Sequence, residues 1–150
     1  MPLDLPDFEA IVAASGISGV EFRDAEIGML ARVPHESVER LLTALRGAGF
    51  ESLVDFDGVD TGGDIELTWR VRSYARGAEA VVKTAVPYDG TIESVWTTYP
   101  SALMPERETA ELFGLGLDGH PNPKRLLTTD GVPPLLRRDV PIRTPEEFRR

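Results

Sequence analysis

A stretch of eight residues alternates strictly between apolar and polar side chains, and it constrains the fold more than any other feature. The apolar positions are Ile65, Leu67, Trp69 and Val71, and the polar positions between them are Glu66, Thr68, Arg70 and Arg72. Because successive side chains of a strand point to opposite faces, one face is apolar and the other charged. This pattern is typical of a half-buried strand in an antiparallel sheet.

Apolar patterning predicts the neighbouring elements. Helices are expected over residues 7–14 and 35–48, where apolar residues recur at helical spacing. Strands are expected over residues 19–33, 50–59, 65–72 and 80–86, and in the first of these Ile27, Met29, Ala31 and Val33 alternate. The order predicts an α+β domain over residues 1–114, with an antiparallel or mixed sheet of about four strands and helices on one face.

The C-terminal third has a different character, since nine of the twelve prolines lie at Pro87 or later. A further helix is expected over residues 105–113, because Pro105 suits a first helical position and Glu106 and Glu108 suit the positive end of the helix dipole. Gly114 is a natural stop. Residues 115–150, which we call the arm, are expected to be irregular and extended, and either disordered or ordered by lying along something else.

The chain contains no cysteine and only two histidines, His35 and His120. Disulfides, iron–sulfur ligation, thiolate zinc sites and cysteine nucleophiles are therefore excluded, and one chain cannot build a multi-histidine metal site. We expect no cofactor and no metal. In a redox system, another chain would have to hold the redox centres.

The formal net charge of -9 argues against general nucleic-acid binding. The charge is uneven, because residues 119–150 carry a net +3 and the preceding residues -12. An acidic body with a basic tail suits docking to a partner, and ordinary solubility charge explains it as well. No run approaches the ~20 apolar residues of a membrane span, and the acidic start at residues 1–4 is unlike a secretory signal. We therefore expect a cytoplasmic chain without direct membrane insertion.

The most informative segment covers residues 99–127, a short acidic helix followed by a glycine-rich turn, a His-Pro pair and a basic-apolar patch. Arg107 and Glu111 are four residues apart and could pair on one helix face. Glu108 and Glu111 could also converge, whereas Glu106 and Glu108 lie about 200° apart and cannot. The glycines resemble a phosphate-binding loop only weakly, because they follow a helix and precede no Gly-Lys-Ser/Thr.

This pattern resembles the signature of the thirty-kilodalton subunit family of respiratory complex I, which has relatives in membrane-bound nickel–iron hydrogenases. The matching positions are Glu106, Arg107, Glu108, Glu111, Leu112, Phe113, His120, Lys124, Leu126 and Leu127. Residues 93–102 and 135–141 resemble the family's flanking segments. Residues 129–134 depart from it, lacking the usual Trp and Gly-His-Pro, and Val140 replaces an aromatic residue. The departures leave the kind of complex open.

The resemblance implies a cofactor-free subunit with no catalysis of its own, packed beside the large quinone-site and iron–sulfur subunits of an NADH–quinone oxidoreductase. It would lie on the cytoplasmic face of the cell membrane. The equivalent subunit of a nickel–iron hydrogenase, or of another ferredoxin-linked complex, is the alternative. The residues expected at a partner interface are Glu106, Arg107, Glu108, Glu111, Phe113, His120, Pro121, Lys124, Arg125, Arg137, Arg138 and Asp139.

For individual residues in this segment, a simple structural role is the alternative to contact with a partner. Arg107 is interpreted as a hydrogen-bonding clamp and His120 as a turn residue bonded to backbone. Phe113 is expected in the core or as an interface anchor. A stand-alone binding module is a second possible class, and an enzyme a third. An arm that is ordered only with partners favours the subunit, whereas an arm that packs on its own domain makes the module credible.

Overall fold

A computed structural model of the chain describes residues 3–26 and 28–141. The helices are α1 (Leu5–Ala14), α2 (Val38–Gly47) and α3 (Leu103–Phe113). The strands are β1 (Glu21–Ala25), β2 (Gly28–Arg32), β3 (Ser52–Asp60), β4 (Asp64–Ser73), β5 (Ala78–Pro87), β6 (Thr91–Glu93) and β7 (Gly116–Asp118). Short 3₁₀ turns lead into α2 and α3. The third helix begins at Leu103, two residues before the predicted start.

The main sheet has five strands in the order β1-β2-β5-β4-β3. Its central β2–β5 pair is parallel and the other three pairs are antiparallel, so the sheet is mixed. The predicted α+β class with a mixed sheet and helices is confirmed. The alternating stretch forms most of β4, where Trp69 lies opposite Phe56 on one side and Val82 on the other.

The number of strands differs from the expected four because the predicted strand over residues 19–33 is a hairpin. Its two halves, β1 and β2, pair antiparallel, with Gly28 opposite Ala25. Gly28 has a φ of +150°, and a Cβ there would lie 2.1 Å from the carbonyl oxygen of Glu79. Only glycine permits this approach, so the chain turns here. Ile27, one of the four alternating residues behind the prediction, lies outside the described residues.

The core lies between the apolar sheet face and the helices. Leu41, Leu42 and Leu45 of α2 are completely buried there. The rings of Trp69 and Phe56 stack with centroids 4.7 Å apart. On the opposite face the charges of the alternating stretch are paired, and Glu66 accepts hydrogen bonds from Arg32 and Lys83.

The chain beyond Gly114 is less irregular than expected. Strand β7 pairs in parallel with β6, and this second sheet brings the start of the arm beside the end of the main sheet. Residues 119–141 then follow without helix or strand. Helix α3 packs on β3, where a Cβ at Gly58 would meet the Phe113 ring at 2.8 Å. This close approach holds α3 directly against the sheet.

Candidate functional site

The first glutamate of the signature helix is inside the protein. Glu106 is 1% exposed, and its Oε1 accepts the Val95 N–H at 2.7 Å while its Oε2 accepts the Ser94 hydroxyl. Burial raises the pKa of Glu106, and the bonds from Ser94 and Val95 and the nearby imidazole of His120 oppose that rise. Glu106 therefore ties α3 to the chain that follows β6.

His120 completes this buried cluster. Its Nδ1 accepts the Asn122 N–H at 2.9 Å, which assigns the ring proton to Nε2, and Nε2 then donates to the Leu103 carbonyl at 2.9 Å. The same Nε2 lies 3.9 Å from Glu106 Oε2. The arrangement is a turn bonded to backbone, and it anchors the arm to the first turn of α3.

Just over one helical turn after Glu106, a second glutamate holds the next part of the arm. Glu111 accepts the N–H groups of Leu126 at 2.8 Å and Leu127 at 2.9 Å, together with the N–H and hydroxyl of Thr128. The Thr128 hydroxyl and the backbone donors favour the carboxylate and lower the pKa of Glu111 to about 2, although partial burial opposes the shift. The carboxylate therefore holds residues 126–128 in a loop through these hydrogen bonds.

Arg107 holds the other side of the same loop. Its Nε donates to the Lys124 carbonyl at 2.7 Å and its Nη2 to the Arg125 carbonyl at 2.8 Å. The planar guanidinium suits two neighbouring acceptors. Its predicted role as a clamp describes these bonds, although the carbonyls belong to its own chain. The alternative pairing of Arg107 with Glu111 is not among the ion pairs of the described residues.

The end of the described arm is fixed at the sheet edge. Arg137 donates to both Asp139 oxygens, at 2.9 and 2.7 Å, and to Asp89 at 2.8 Å, and its guanidinium lies 4.1 Å from the centroid of the Tyr88 ring. The bonds to Asp139 are the main reason that the pKa of Arg137 is raised. The Arg138 N–H, next in the chain, donates to Asp60 at 2.7 Å.

The Asp60 carboxylate is stabilised despite its burial. Burial acts to raise its pKa, but the bonds from the Tyr88 hydroxyl, the Arg138 N–H and the Gly62 N–H outweigh it and hold the pKa below its usual range. The same contact raises the pKa of Tyr88 to about 12, because loss of the phenol proton would place two negative charges side by side.

The twelve residues expected at a partner interface divide by exposure. Glu106, Phe113 and His120 are buried in their own domain, so they can shape an interface only from beneath. Arg107, Glu111 and Arg137 are half-buried and bonded to the arm or the sheet edge. The exposed members are Glu108, Pro121, Lys124, Arg125, Arg138 and Asp139. Contact of any of them with a partner stays a prediction.

Several residues that organise the site were not singled out from the sequence. Ser94 lies within the segment resembling the family's upstream phrase, but nothing in that phrase indicated its bond to Glu106. Thr128 follows the matched Leu126–Leu127 pair. Asp60 and Tyr88 gave no local signal, because they meet across 28 positions of the chain.

The arrangement offers little for substrate chemistry. The carboxylates of Glu106 and Glu111 are engaged by hydrogen bonds within the chain, and only Glu108 is exposed among the three glutamates of α3. A cavity of about 290 Å³ lies between α3 and the arm, bordered by Arg107, Glu111, Lys124 and Pro134.

Between residues 3 and 141, Ile27 aside, no group of three metal-ligating side chains comes together. In the same residues no helix has the length and apolarity to cross a bilayer.

The described part of the arm lies on its own domain. Besides the contacts of Arg107, Glu111 and Asp60, the Leu136 N–H donates to the Leu112 carbonyl of α3 at 3.0 Å. An arm packed on its own domain is the outcome that makes an independent module credible. Residues 142–150 of the arm lie outside the described residues.

The chain is therefore a mixed α+β domain in which α3, the helix of the signature, holds a proline-rich arm through hydrogen bonds. The profile of the family described as the respiratory-chain NADH dehydrogenase 30 Kd subunit matches residues 31–146, and the chain belongs to that family.

Curated relatives agree with this assignment. The C subunit of the NADH-quinone oxidoreductase of Phenylobacterium zucineum is 33% identical over 114 residues, covering 72% of this chain and 54% of the relative. The same subunit from Caulobacter vibrioides is 30% identical over 149 residues, covering 93% of this chain and 74% of the relative. The chain spans between about half and three quarters of the length of these relatives.

Two solved structures share the fold. A trypsin-resistant fragment of Nqo5 matches with a TM-score of 0.65 and 25% identity, covering 76% of this chain and 97% of the fragment. A chain of the membrane-bound sulfane sulfur reductase, an archaeal respiratory membrane complex, matches with a TM-score of 0.66 and 27% identity. That match covers 75% of this chain and 71% of the other.

Proposed function

We propose that this chain is a non-catalytic, cofactor-free subunit of a complex I-like NADH–quinone oxidoreductase. It packs beside the large quinone-site subunit and the iron–sulfur subunit, and through them lies on the cytoplasmic face of the membrane. The observation that carries the proposal is the family match, which runs through the whole of α3 and the described arm. The relatives from bacterial NADH-quinone oxidoreductases supply the kind of complex.

The use of the signature residues supports a structural role. Glu106 bonds to Ser94 and Val95, and Arg107 and Glu111 bond to the arm. His120, from the arm, bonds to the Leu103 carbonyl of α3. Catalysis by such groups would require free, convergent side chains at a cavity. A preformed arm instead presents a fixed surface to a neighbour and avoids the ordering cost of folding on contact. Residues 1–114 then act as the domain that positions the arm.

A second candidate function follows from the structural neighbour in the archaeal sulfane sulfur reductase. The equivalent subunit of a membrane-bound nickel–iron hydrogenase, or of another ferredoxin-linked complex, would use the same surface. The departures at residues 129–134 and Val140 fit this alternative as well.

The test is affinity purification of the tagged chain from gently solubilised membranes of its own host, with mass spectrometry of the recovered proteins. Recovery of an iron–sulfur subunit with a quinone-site subunit supports the first candidate, and recovery with a nickel-site subunit supports the second. Recovery of the folded chain alone would contradict both. A flavin or cluster bound in stoichiometric amount would contradict the cofactor-free assignment.

A variant separates assembly from electron transfer. Arg107→Ala removes the bonds to the Lys124 and Arg125 carbonyls, so we expect a lower yield of complex with unchanged turnover in the complexes that form. Arg40→Ala, at an exposed arginine of α2 that is not among the residues expected at the interface, is the matched control. A normal yield with slow turnover would show that Arg107 serves the reaction instead of assembly.

A further inference from the structure

Most of the exposed large apolar side chains lie on α3 or the arm. Of the eight large apolar residues that are exposed in the described part of the chain, five lie on α3 or the arm. Met104 is 55% exposed, Leu126 38% and Leu127 60%. The Arg107 guanidinium joins these three positions, because it lies 3.8 Å from the Met104 sulfur and bonds the two carbonyls that precede Leu126. We call Met104, Leu126 and Leu127 the leucine site.

The leucine site is held rigidly although its side chains face solvent. Arg107 fixes the carbonyls of residues 124 and 125 from one side, and Glu111 fixes the N–H groups of residues 126–128 from the other. Arg125 adds bonds to the Thr128 hydroxyl and the Val132 carbonyl. A loop fixed in this way loses little conformational entropy when a partner covers it. Two adjacent leucines therefore project from a framework that is already ordered.

Positive charge borders this apolar surface. Lys124 and Arg125 precede the two leucines and are exposed, within residues 119–150 of net charge +3, whereas residues 1–118 carry a net charge of -12. Complementary charge steers association and excludes wrong partners. A matching surface is therefore apolar at its centre and carries Asp or Glu at its rim.

We infer that the leucine site is the docking point for a protein neighbour that presents an apolar patch rimmed by carboxylates. The inference rests on the proposed function, of which it names the contact surface and the chemistry of the partner. Leu126 and Leu127 are the anchors, and Lys124 and Arg125 set the orientation. Arg107 and Glu111 position the loop through their hydrogen bonds and do not themselves contact the neighbour.

A protein fits this surface better than a lipid bilayer does. Anionic lipid would attract Lys124 and Arg125 but would repel residues 1–118, whose net charge is -12. Two basic residues supply only about 2 kcal/mol of attraction to such a surface. The hydrogen-bonded loop also has one shape, which a protein surface can match and a fluid bilayer cannot.

The experiment measures binding of three variants to the subunits that co-purify with the wild-type chain, using surface plasmon resonance at several salt concentrations. Leu126→Asp with Leu127→Asp is expected to weaken binding at least about 30-fold, the change expected for interface anchors. Lys124→Gln, which leaves the bonds of Arg125 to the loop intact, is expected to slow association and to reduce its salt dependence. Tyr74→Ser, which alters a side chain that is 67% exposed on the β4–β5 turn, is expected to bind as the wild type does.

The outcomes separate this inference from the proposed function. If the wild type recovers the complex subunits and the double aspartate variant binds them normally, the docking point is wrong and the function stands. If the wild type recovers no subunit, vesicles of phosphatidylglycerol are tested next. If the wild type binds the vesicles and the double aspartate variant does not, the surface is assigned to lipid and the protein partner is overturned. If the wild type does not bind the vesicles either, both proposals are overturned. Circular dichroism and thermal unfolding of each variant establish that it folds.

Discussion

The domain and the arm are held together by different forces. In the domain, apolar side chains such as Leu41, Leu67 and Trp69 are withdrawn from water between the sheet and the helices. Between Gly119 and Pro141, His120 is the one buried residue, and the chain is held by hydrogen bonds to Arg107, Glu111 and Asp60. The difference shows that a segment with too few apolar residues to form a layer can still be ordered, provided that a neighbouring helix supplies charged groups for its backbone.

Each kind of force has its own sensitivity. Burial responds to the volume and shape of side chains, and its loss is felt throughout a cooperative domain. Charged hydrogen bonds respond to pH and to the loss of one partner, and they can open locally while the domain stays folded. Core substitutions should therefore unfold both regions, whereas substitutions in the hydrogen-bonded loop should release the arm alone.

Removing the ring of Trp69 is expected to have the largest effect. Trp69→Ala leaves a cavity where the ring stacks on Phe56, and it should lower the free energy of unfolding by about 3–5 kcal/mol. Domain and arm would be lost together, as urea denaturation followed by circular dichroism would show. Tyr74→Ala, at a site 67% exposed, should change the free energy by less than about 0.5 kcal/mol. Similar values for the two variants would contradict a core centred on Trp69.

A change at the junction of the two regions should have an intermediate effect. Gly114 ends α3 with a φ of +71°, and a Cβ there would lie 3.0 Å from the Pro134 ring. Gly114→Ala should therefore cost about 1–3 kcal/mol in the free energy of unfolding, from backbone strain and displacement of the arm. Gly63→Ala is the control, since Gly63 has an ordinary φ and open space around it. Equal effects at both glycines would argue that the arm does not pack against the end of α3.

Releasing the loop from Glu111 should affect the arm alone. Glu111→Gln removes the charge that gathers the N–H groups of residues 126–128, so these amides should exchange with solvent faster while those of β4 stay protected. Native-state hydrogen exchange by NMR measures both. Glu108→Gln, on an exposed neighbour, should leave the exchange unchanged. Loss of protection in β4 as well would mean that the arm is part of the cooperative core.

The same carboxylate gives the arm its pH dependence. Folding lowers the pKa of Glu111 to about 2 from an ordinary value of 4.5. The contribution of this carboxylate to stability is therefore complete above pH 4.5 and is lost as the pH falls toward 2. The Thr128 amide signal should therefore titrate near pH 2 in the wild type and lose this transition in Glu111→Gln. A transition near pH 4.5 would show that the carboxylate is free.

Glu106 should have the smallest effect on stability, and its pH dependence should have the opposite sign to that of Glu111. Burial raises its pKa above 4.5, so its contribution to stability is complete below pH 4.5 and declines as the pH rises through the folded-state value. Glu106→Gln keeps the shape, and its amide can serve both Ser94 and Val95. The variant should unfold with a flatter pH dependence above pH 4.5. An unchanged slope would indicate that another group causes that dependence.

Local patterns predicted the domain better than they predicted the arm. The alternation in β4 and the leucine stripe of α2 identified their elements, because each depends on near neighbours in sequence. The hairpin of β1 and β2 was missed because its turn depends on the approach of Gly28 to Glu79, which lies on a distant strand. The arm was expected to be disordered or to be ordered by lying along something else, because its composition is poor in apolar residues.

The candidate site shows the same limit. The signature identified Arg107, Glu111 and His120 as important residues, but spacing along α3 suggested that Arg107 and Glu111 pair with each other. Each instead binds a separate side of one loop 15 to 18 residues away, since backbone groups of the arm compete for them. Side-chain-to-backbone bonds leave no compositional pattern, because nearly any residue can supply a carbonyl or an N–H.

The parallel pairing of β2 with β5 has a consequence for how the chain is made. Met29 lies opposite Ala80, so the first hairpin leaves the ribosome about 50 residues before its partner strand. At ordinary rates of synthesis, roughly 5–20 residues per second, that interval lasts some seconds. The edge of β2 that pairs with β5 then stays unpaired on the nascent chain, and a chaperone can bind there until β5 arrives.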